Sequence, residues 1–464
     1  MPFQKRSRRL PVKRFDDRTA VAKLNLPFDV DLPKHAGSRP RIQPRENEAY
    51  SLAGVVPKVT FSPRNAAETA KVVDAMRHEG AMINIRGAGT KQWRPPAPRG
   101  LDAVLDMTRC KGILEHTPAD LTATVAAGTP FAELQAALRP HGQFFPCDPV
   151  FASTATIGGV LAARCNGALR QRYGSLRDNV LGMRVCLSDG SIAFTGAKVV
   201  KSVAGYDIPK LFVGSFGTLG AIAEVTLKVA PLPAHESLSV AWFKNADAAC
   251  EAALHIASSP LFPLAMTLHD ALAARRIRAL DPQDDARWAL LVRCGGVPAA
   301  VGRQLDGVRA ACSAAGSTRM ESLEADRVPH AWSDVSELAC GVMYSPDDYL
   351  MLKIIGLPTQ TPSVVHEVSL ACSGAEISAH PALGIVYAHL PADNAQSALA
   401  CAESLLEKCA SSGWQAEFLS APPALVQQLF QPVPAQAPLR LMRRVKAGLD
   451  PTGTFDPGRL LAGI

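Results

Sequence analysis

The sequence predicts an α+β fold in two parts, and three observations carry that prediction. Between Thr154 and Leu227, glycines, hydroxyls and single polar residues repeatedly interrupt apolar runs. A chain does this where its backbone must pass close to something, because Gly has no Cβ and tolerates unusual φ/ψ. Upstream, a short apolar strand runs into a second glycine-rich stretch, Arg86-Gly87-Ala88-Gly89-Thr90. After Pro231-Leu232-Pro233 the texture changes to longer strand–helix units in the order β-α-β-β-α-β, the ferredoxin-like arrangement.

The elements follow in order. Val59–Phe61 reads as a strand, and Asn65 caps a helix whose Glu68 completes a capping box. Thr69, Val72, Val73 and Met76 share one face of it, and Gly80 ends it. Met82–Ile85 is a buried strand, followed by strands at Ala103–Met107, Gly112–His116 and Leu121–Ala126. Pro130 opens a helix through Leu138. Ile157–Arg164 is a short helix, and Val180–Leu187 pairs with Ile192–Thr195 across the Asp189-Gly190 turn. Ala221, Ala223, Val225, Leu227 and Val229 alternate with polar residues, which predicts a strand with one wet face.

In the second half, strands are expected at Leu238–Phe243, Leu264–Leu268, Ala289–Cys294 and Arg319–Leu323. Helices are expected from Asn245 to Ile256 and from Val297 to Ala315. Further strands fall at Tyr349–Leu357, Gly384–Leu390 and Trp414–Phe418, with Asp393 and Gln396 opening a helix between the last two. A closing helix spans Leu439–Leu449. No repeat of the solenoid kind is present.

Composition bounds the function. The 464 residues are 47% hydrophobic and 20% charged, the balance of a globular protein with a sizeable core. The net charge of +7 is concentrated in Lys5, Arg6, Arg8, Arg9, Lys13 and Arg14, a solvated basic arm. No basic stripe interleaves with aromatics elsewhere, which argues against nucleic acid. Arg8-Arg9 is followed by Arg14-Phe15-Asp16-Asp17-Arg18 rather than an apolar segment, so no export signal is read. No apolar run approaches the ~20 residues of a membrane span. Eleven scattered cysteines without Cys-x-x-Cys point to reduced thiols in a cytoplasmic protein and to no iron–sulfur or zinc site in this chain.

A strand followed by a glycine-rich loop aims backbone N–H groups at phosphate. Gly87-Ala88-Gly89 is not a Rossmann fingerprint, because Gly-x-Gly-x-x-Gly is absent and Trp93-Arg94-Pro95-Pro96 precludes a helix. Thr154 and Thr156 precede the helix at Ile157, where hydroxyls and free N–H groups favour an anion. The alternative is that Thr156 is an N-cap and Gly158 and Gly159 serve close packing.

These motifs, in this order, resemble the FAD-binding domain of the vanillyl-alcohol-oxidase/p-cresol-methylhydroxylase (PCMH) superfamily, and within it the FAD-binding subunits of bacterial glycolate oxidase. The marks are Arg86–Thr90, Thr156-Ile157-Gly158-Gly159, Gly174-Ser175-Leu176-Arg177-Asp178, Val203-Ala204-Gly205-Tyr206-Asp207, Gly217-Thr218-Leu219-Gly220 and the terminal Leu449-Asp450-Pro451 to Arg459. Asp456 stands where that family usually has Asn. The resemblance implies a two-part PCMH-type FAD-binding domain plus a ferredoxin-like α+β cap. The boundaries are a basic, poorly ordered extension over 1–49, the FAD domain over 50–232, the cap over 233–430 and a returning segment over 431–464.

The resemblance implies non-covalent FAD, because the first loop has no His. It also implies a pyrophosphate lying between Gly87–Thr90 and Thr156–Gly159. The candidate cofactor residues are Arg86, Gly87, Ala88, Gly89, Thr90, Thr154, Thr156, Ile157, Gly158, Gly159, Asn166, Gly167, Tyr173, Gly174, Ser175, Asp178, Gly220, Ala221 and Ile222. Relatives that oxidise 2-hydroxy acids in a single subunit carry a metal-binding His-x-His pair, which this chain lacks. His380 and His389 lie nine apart, a poor fit to one metal, so no metal is expected and both read as structural or surface residues.

Candidates for the chemistry are Arg440, Arg443 and Arg459 as carboxylate partners, and Tyr387 and His389 as base or orienting groups. Solvated helix faces account equally for Arg440 and Arg443, and a half-buried strand for Tyr387. The expected function is the FAD-binding subunit of a glycolate-type 2-hydroxy-acid oxidoreductase complex. The resemblance implies a second flavin subunit and an iron–sulfur subunit as partners, with peripheral membrane association through them as an option. The alternatives are an autonomous flavin dehydrogenase or oxidase, and a non-catalytic FAD-holding relay.

Overall fold

The computed structural model describes residues 48–196, 207–282, 287–339, 341–426, 428–429, 432 and 436–460. The expected extension over 1–49 falls outside them as far as Asn47, and so does Val203–Tyr206 of one family motif.

The first half holds two main sheets and a separate two-stranded pair. A parallel one pairs β1 (Val59–Phe61), β2 (Ile83–Arg86) and β3 (Ala103–Asp106) in the order β1-β3-β2. Helix α1 (Ala66–His78) packs Val72, Val73 and Met76 against Phe61, Ile83 and Leu105. Its N-cap Asn65 accepts from Glu68 N, as the sequence predicts, while the Glu68 carboxylate reaches one residue further back, to Arg64 N.

The second sheet is antiparallel, in the order β4-β5-β9-β7-β8. It contains β4 (Ile113–Thr117), β5 (Thr122–Ala126), β7 (Val180–Cys186), β8 (Ile192–Gly196) and β9 (Ala221–Lys228). The two-residue β6 (Gln143–Phe144) pairs with β10 (Ala230–Pro231). Helices α2 (Phe131–Leu138) and α3 (Ile157–Ala162) cover this sheet.

Strand β9 corrects one expectation. Arg184 pairs with Glu224 and Val185 with Ile222, so Ala223 is bulged and the alternation switches face there. Ala221 and Ala223 consequently join the core under α1, whereas Ile222, Val225 and Leu227 join the core under α3. Thr226 is buried on the other face against Thr124.

The second half is one eight-stranded antiparallel sheet made of two copies of the same unit. The first copy is β11 (His235–Phe243), α4 (Ala246–Ser258), β12 (Ala265–Asp270), β13 (Trp288–Gly296), α5 (Pro298–Ala314) and β14 (Arg319–Leu323). After α6 (Val328–Glu337) come β15 (Tyr349–Ile355), α7 (Thr361–Ala371), β16 (Glu376–His380), β17 (Ile385–Pro391), α8 (Ala395–Ser412) and β18 (Gln415–Ser420). The order β14-β11-β13-β12-β16-β17-β15-β18 places the copies tail to tail, joined where Leu268 pairs with Ala379 and His269 with Ser378.

The four long helices of the two copies cover one face of the sheet. On the other face the copies differ. Trp332 and Val335 of α6 cover Val240, Trp242 and Leu291 of the first. The same face of the second turns toward the FAD-domain loops and leaves a cavity. Sequence reading missed α6, α7 and β16. All five residues of β16 are buried, yet Glu376, Ser378 and His380 are polar, so no apolar alternation marks it. The cap of α8 is Asn394 rather than Asp393.

The chain then returns to the first half through α9 (Gln436–Leu449). Lys446 Nζ donates to Thr218 O and Phe455 O, and the backbone of Ile83 exchanges hydrogen bonds with Thr454 and Asp456. Among the described residues no helix is long and apolar enough to cross a membrane.

Candidate functional site

Two cavities adjoin, the first within the first half and the second between that half and the cap sheet. The first is lined by Gly87–Gln92 on one lip, by Thr156, Gly158, Gly159, Ala162 and Ala163 on the other, and by Met107, Ala127, Gly217, Gly220 and Ile222 beneath. Side chains are excluded where the lips converge. A Cβ on Gly87 would collide with Thr156 Oγ1, and one on Gly158 would come within 2.8 Å of the Ala127 methyl.

The lips contribute differently. In the second, Ile157 N donates to Thr129 O, Gly158 N to Ala127 O and Gly159 N to Thr156 Oγ1. The start of α3 therefore spends its first amides on the protein, and the N-cap and close-packing alternative describes Thr156–Gly159 as they stand. In the first lip, the amides of Gly87, Ala88, Gly89, Thr90 and Lys91 have no acceptor among the described residues. Successive free N–H groups beside a cleft are the donor set a diphosphate requires. The cleft fits the phosphates of FAD, with the donors on one side.

The second cavity shares Lys91, Ala163 and Phe216 with the first and is closed by the cap sheet. Its FAD-domain wall is Arg94, Asp148, Val150 and Arg164 to Ala168. Its cap wall is Lys353 of β15, His380 of β16, Tyr387 of β17, Glu417 and Leu419 of β18, and Val335, Ser336 and Ala339. Glu417 is the centre of charge. Arg94 Nη1 lies 2.8 Å from Oε1, and Arg164 Nη2 and Lys353 Nζ lie 3.7 and 3.8 Å from Oε2.

Burial opposes ionisation of Glu417, yet the Arg94 and Lys353 charges hold its carboxyl down at about 2. Burial lowers the Lys353 ammonium from its ordinary value against the pull of Glu417. Burial, with Lys353 and Arg170 nearby, brings His380 down to about 3, so its imidazole is neutral at physiological pH. Burial raises the Tyr387 phenol, which stays protonated. The ring of Tyr387 meets His380 edge-on at 5.3 Å.

Two carboxylates fasten the FAD-domain wall. Asp148 accepts from Leu169 N and from Trp332 Nε1 of the cap, and burial pushes it up to about 6. Glu337 of the cap accepts from Phe151 N at 2.7 Å. Gly167 fits because a Cβ there would meet Asp148.

Nine of the candidate cofactor residues line the first cavity: Gly87, Ala88, Gly89, Thr90, Thr156, Gly158, Gly159, Gly220 and Ile222. Asn166, Gly167 and Tyr387 line the second. The others lie elsewhere. Arg86 donates to Ala49 O and stands over the Tyr50 ring. Ile157 and Ala221 are core, and Thr154 is exposed. Tyr173 packs edge-on against Phe144, and Gly174 precedes a surface capping box of Ser175 with Asp178.

Arg440 and Arg443 stand on the exposed face of α9. Arg459 is buried, and it pins the loop before the second cavity by donating to Arg94 O, Pro96 O and Gln92 O. His389 is stacked on Tyr344 with its Nδ1 near Glu376 O, away from both cavities. Sequence reading missed Lys353, Arg94, Arg164, Asp148 and Glu417, and it set His380 aside. A lone Lys in the strand Leu350-Met351-Leu352-Lys353-Ile354-Ile355 is a signal, since a charge in a buried strand needs a reason.

A dinucleotide cleft between two small sheets, capped by a doubled ferredoxin-like sheet over a charged cavity, defines a two-domain flavoprotein scaffold. The FAD binding domain family matches residues 57–196, and the C-terminal domain of FAD linked oxidases matches 232–338. The two matched segments carry the PCMH-type fold of FAD-linked oxidases, and FAD is the cofactor.

It is 29% identical to the glycolate oxidase subunit GlcD of Bacillus subtilis over 291 residues, 62% of each chain. It is 40% identical to the glycolate oxidase subunit GlcE of Escherichia coli over 153 residues, 32% of this chain and 42% of that one. The matches thus span less than two thirds of either relative. The solved 4-ethylphenol oxidase from Gulosibacter chungangensis shares the fold with a TM-score of 0.65 at 18% identity, over 86% of this chain and 88% of that one.

Proposed function

We propose that this chain is an FAD-dependent 2-hydroxy-acid oxidoreductase of the glycolate or lactate type, acting as the FAD-binding subunit of a complex. The observation that carries the reading is the second cavity. It continues the FAD cleft, and Lys91, Arg94, Arg164 and Lys353 face it against Asp148 and Glu417 alone. A small carboxylate is the complementary ligand.

In this reading the amides of Gly87 to Lys91 hold the diphosphate and the glycines of both lips admit it. FAD, when bound, supplies the hydride acceptor. The positive lining of the cavity anchors the carboxylate of the acid, and the neutral His380 imidazole takes the hydroxyl proton as the carbon–hydrogen bond breaks. Tyr387, held protonated, donates to the substrate oxygen. Arg459, Asp148 and Glu337 keep the walls in place.

Membership of a complex is supported by the two relatives, each named as a subunit. A cytoplasmic location is supported by ten described cysteines that are all free thiols, eight of them buried. The test is anaerobic addition of glycolate and of D-lactate to the purified yellow protein. Bleaching of the flavin by one of them is expected. A flavin that stays oxidised with every 2-hydroxy acid, with and without co-purified chains, would rule the reading out.

A further inference from the structure

The cap wall of the second cavity gathers His380, Tyr387 and Glu417, residue types that elsewhere hold metal ions. Here they do not fit one. Glu417 is already paired with Arg94 at 2.8 Å, and two more cations stand within 3.8 Å of it. The Tyr387 phenol is kept protonated by burial. One imidazole and two engaged carboxylates, the second being Asp148 held by Leu169 N and Trp332 Nε1, are too few free donors for a divalent ion, and three fixed positive charges oppose its entry. Among the described residues no cluster of three His, Cys, Asp or Glu side chains is placed to bind metal.

The cavity contains instead an ammonium with nothing to donate to. Lys353 exposes 12% of its side chain, and it lines the cavity. Glu417 Oε2, its one recorded partner, is 3.8 Å away, beyond hydrogen-bond range. Beside it His380 is 9% exposed, and its Nδ1 has no partner. An ammonium and a buried imidazole without hydrogen-bond partners, on the same cap wall of one cavity, are complementary to an acidic ligand that brings both acceptor oxygens and a hydroxyl.

We propose that Lys353, held charged by Glu417, is the fixed cation that receives the carboxylate of a small 2-hydroxy acid, so that the site works without a divalent metal. The proposal rests on the 2-hydroxy-acid reading above. It assigns Lys353 a binding role and leaves proton transfer to His380. The acid contributes one negative charge to a cluster of Arg94, Arg164, Lys353 and Glu417 that is otherwise positive in balance, which favours monocarboxylates over neutral hydroxy compounds.

The experiment uses the FAD-loaded full chain and oxalate, a carboxylate that cannot be oxidised at a hydroxyl-bearing carbon. Oxalate is titrated against the flavin absorption band before and after dialysis with EDTA, in the wild type, Lys353→Met and Lys353→Arg. The expected result is saturable binding indifferent to EDTA, weakened about tenfold or more in Lys353→Met with unchanged FAD content, and partly restored in Lys353→Arg. Metal analysis should find far less than one divalent ion per chain.

Equal oxalate affinity in Lys353→Met would overturn the proposal, and so would loss of binding in EDTA with recovery on adding Zn²⁺ or Mn²⁺. If Lys353→Met does not fold, the wild type still decides. Glycolamide, the uncharged counterpart of glycolate, should compete with oxalate at least about tenfold less well than glycolate does, and equal competition overturns the proposal. Bleaching by a 2-hydroxy acid together with Lys353-independent oxalate binding removes this proposal alone. A wild-type flavin that responds to neither oxalate nor any 2-hydroxy acid removes the functional reading as well.

Discussion

Arg94 Nη1 donates to Glu417 Oε1 at 2.8 Å, and this pair ties the Gln92–Pro96 loop of the FAD half to β18, the last strand of the cap. Arg94 also stands over the ring of Phe216, 4.8 Å from its centroid, and Phe216 lines both cavities. Cofactor cleft and charged cavity therefore share one wall, and its position depends on a carboxylate contributed by the cap.

Removing that carboxylate leaves Arg94 and Lys353, 14% and 12% exposed, as uncompensated charges. Glu417→Ala is expected to lower unfolding stability by about 3 kcal/mol, the usual cost of breaking a buried pair. Burial opposes the Glu417 charge, but Arg94 and Lys353 lower its carboxyl to about 2. Its contribution is therefore present above the ordinary carboxylate range and disappears only as pH falls toward 2. Urea unfolding at pH 7 and pH 5 should show nearly the same deficit.

A methyl group on Gly87 would meet Thr156 Oγ1 across the mouth of the first cavity. Gly87→Ala should fold and weaken FAD binding about 10- to 100-fold, since a crowded site costs about 1–3 kcal/mol. Titration of apoprotein with FAD, followed by flavin fluorescence, measures it. Unchanged affinity would place the diphosphate elsewhere.

Asp456 is buried at φ 38°, accepts from Asn84 Nδ2 at 2.7 Å and lies 3.3 Å from Arg459 Nε. Burial raises its carboxyl and Arg459 opposes the rise. Asn tolerates the left-handed conformation and keeps an acceptor, so Asp456→Asn should cost less than about 1 kcal/mol. Asp456→Leu should cost about 3 kcal/mol or more, because it removes the acceptor of Asn84 Nδ2 and the counter-charge of the buried Arg459 and strains the backbone. Urea unfolding of the two variants separates these outcomes.

His389 is buried against Tyr344, and burial brings it down to about 4 from its ordinary 6.5. The unfolded chain therefore binds the extra proton first. The stabilising effect of a neutral His389 is complete above about pH 6.5 and is lost as pH falls toward 4, at up to about 1.4 kcal/mol per pH unit. His389→Phe keeps the stack and removes the proton, so its stability should fall less steeply than that of the wild type between pH 6.5 and 4.5. Parallel pH profiles from urea unfolding would contradict this.

The first half of the fold was legible because its signals are local. Asn65 caps, Gly80 and Gly142 end helices with positive φ, and Gly190 turns a hairpin, each acting within a few residues. The bulge at Ala223 was not legible, since it is set by pairing with Arg184 and Val185 some forty residues away. The first ferredoxin-like unit is legible in the order of its strands and helices. Its second copy was missed because Glu376, Ser378 and His380 make β16 look polar, and because the seam that buries them is formed by β12, a hundred residues upstream.

The site divides in the same way. Gly87 to Thr90 announce themselves by composition. Lys353, His380, Tyr387 and Glu417 come from four strands and meet only when the second copy of the unit closes against Arg94 and Arg164. Among the candidates from the returning segment, Arg459 is buried and structural, whereas Arg440 and Arg443 face solvent. The sequence alone cannot separate these, because all three lie within twenty residues of one another.

The rate of anaerobic flavin bleaching by a 2-hydroxy acid in wild type and His380→Ala, both loaded with FAD, decides whether the oxidation takes place in the second cavity. With the reactive carbon held against the cap wall, His380→Ala should keep its FAD and bleach about 10²- to 10⁴-fold more slowly, the usual loss of a positioned base. Bleaching at the wild-type rate in His380→Ala would show that the oxidation does not take place in this cavity.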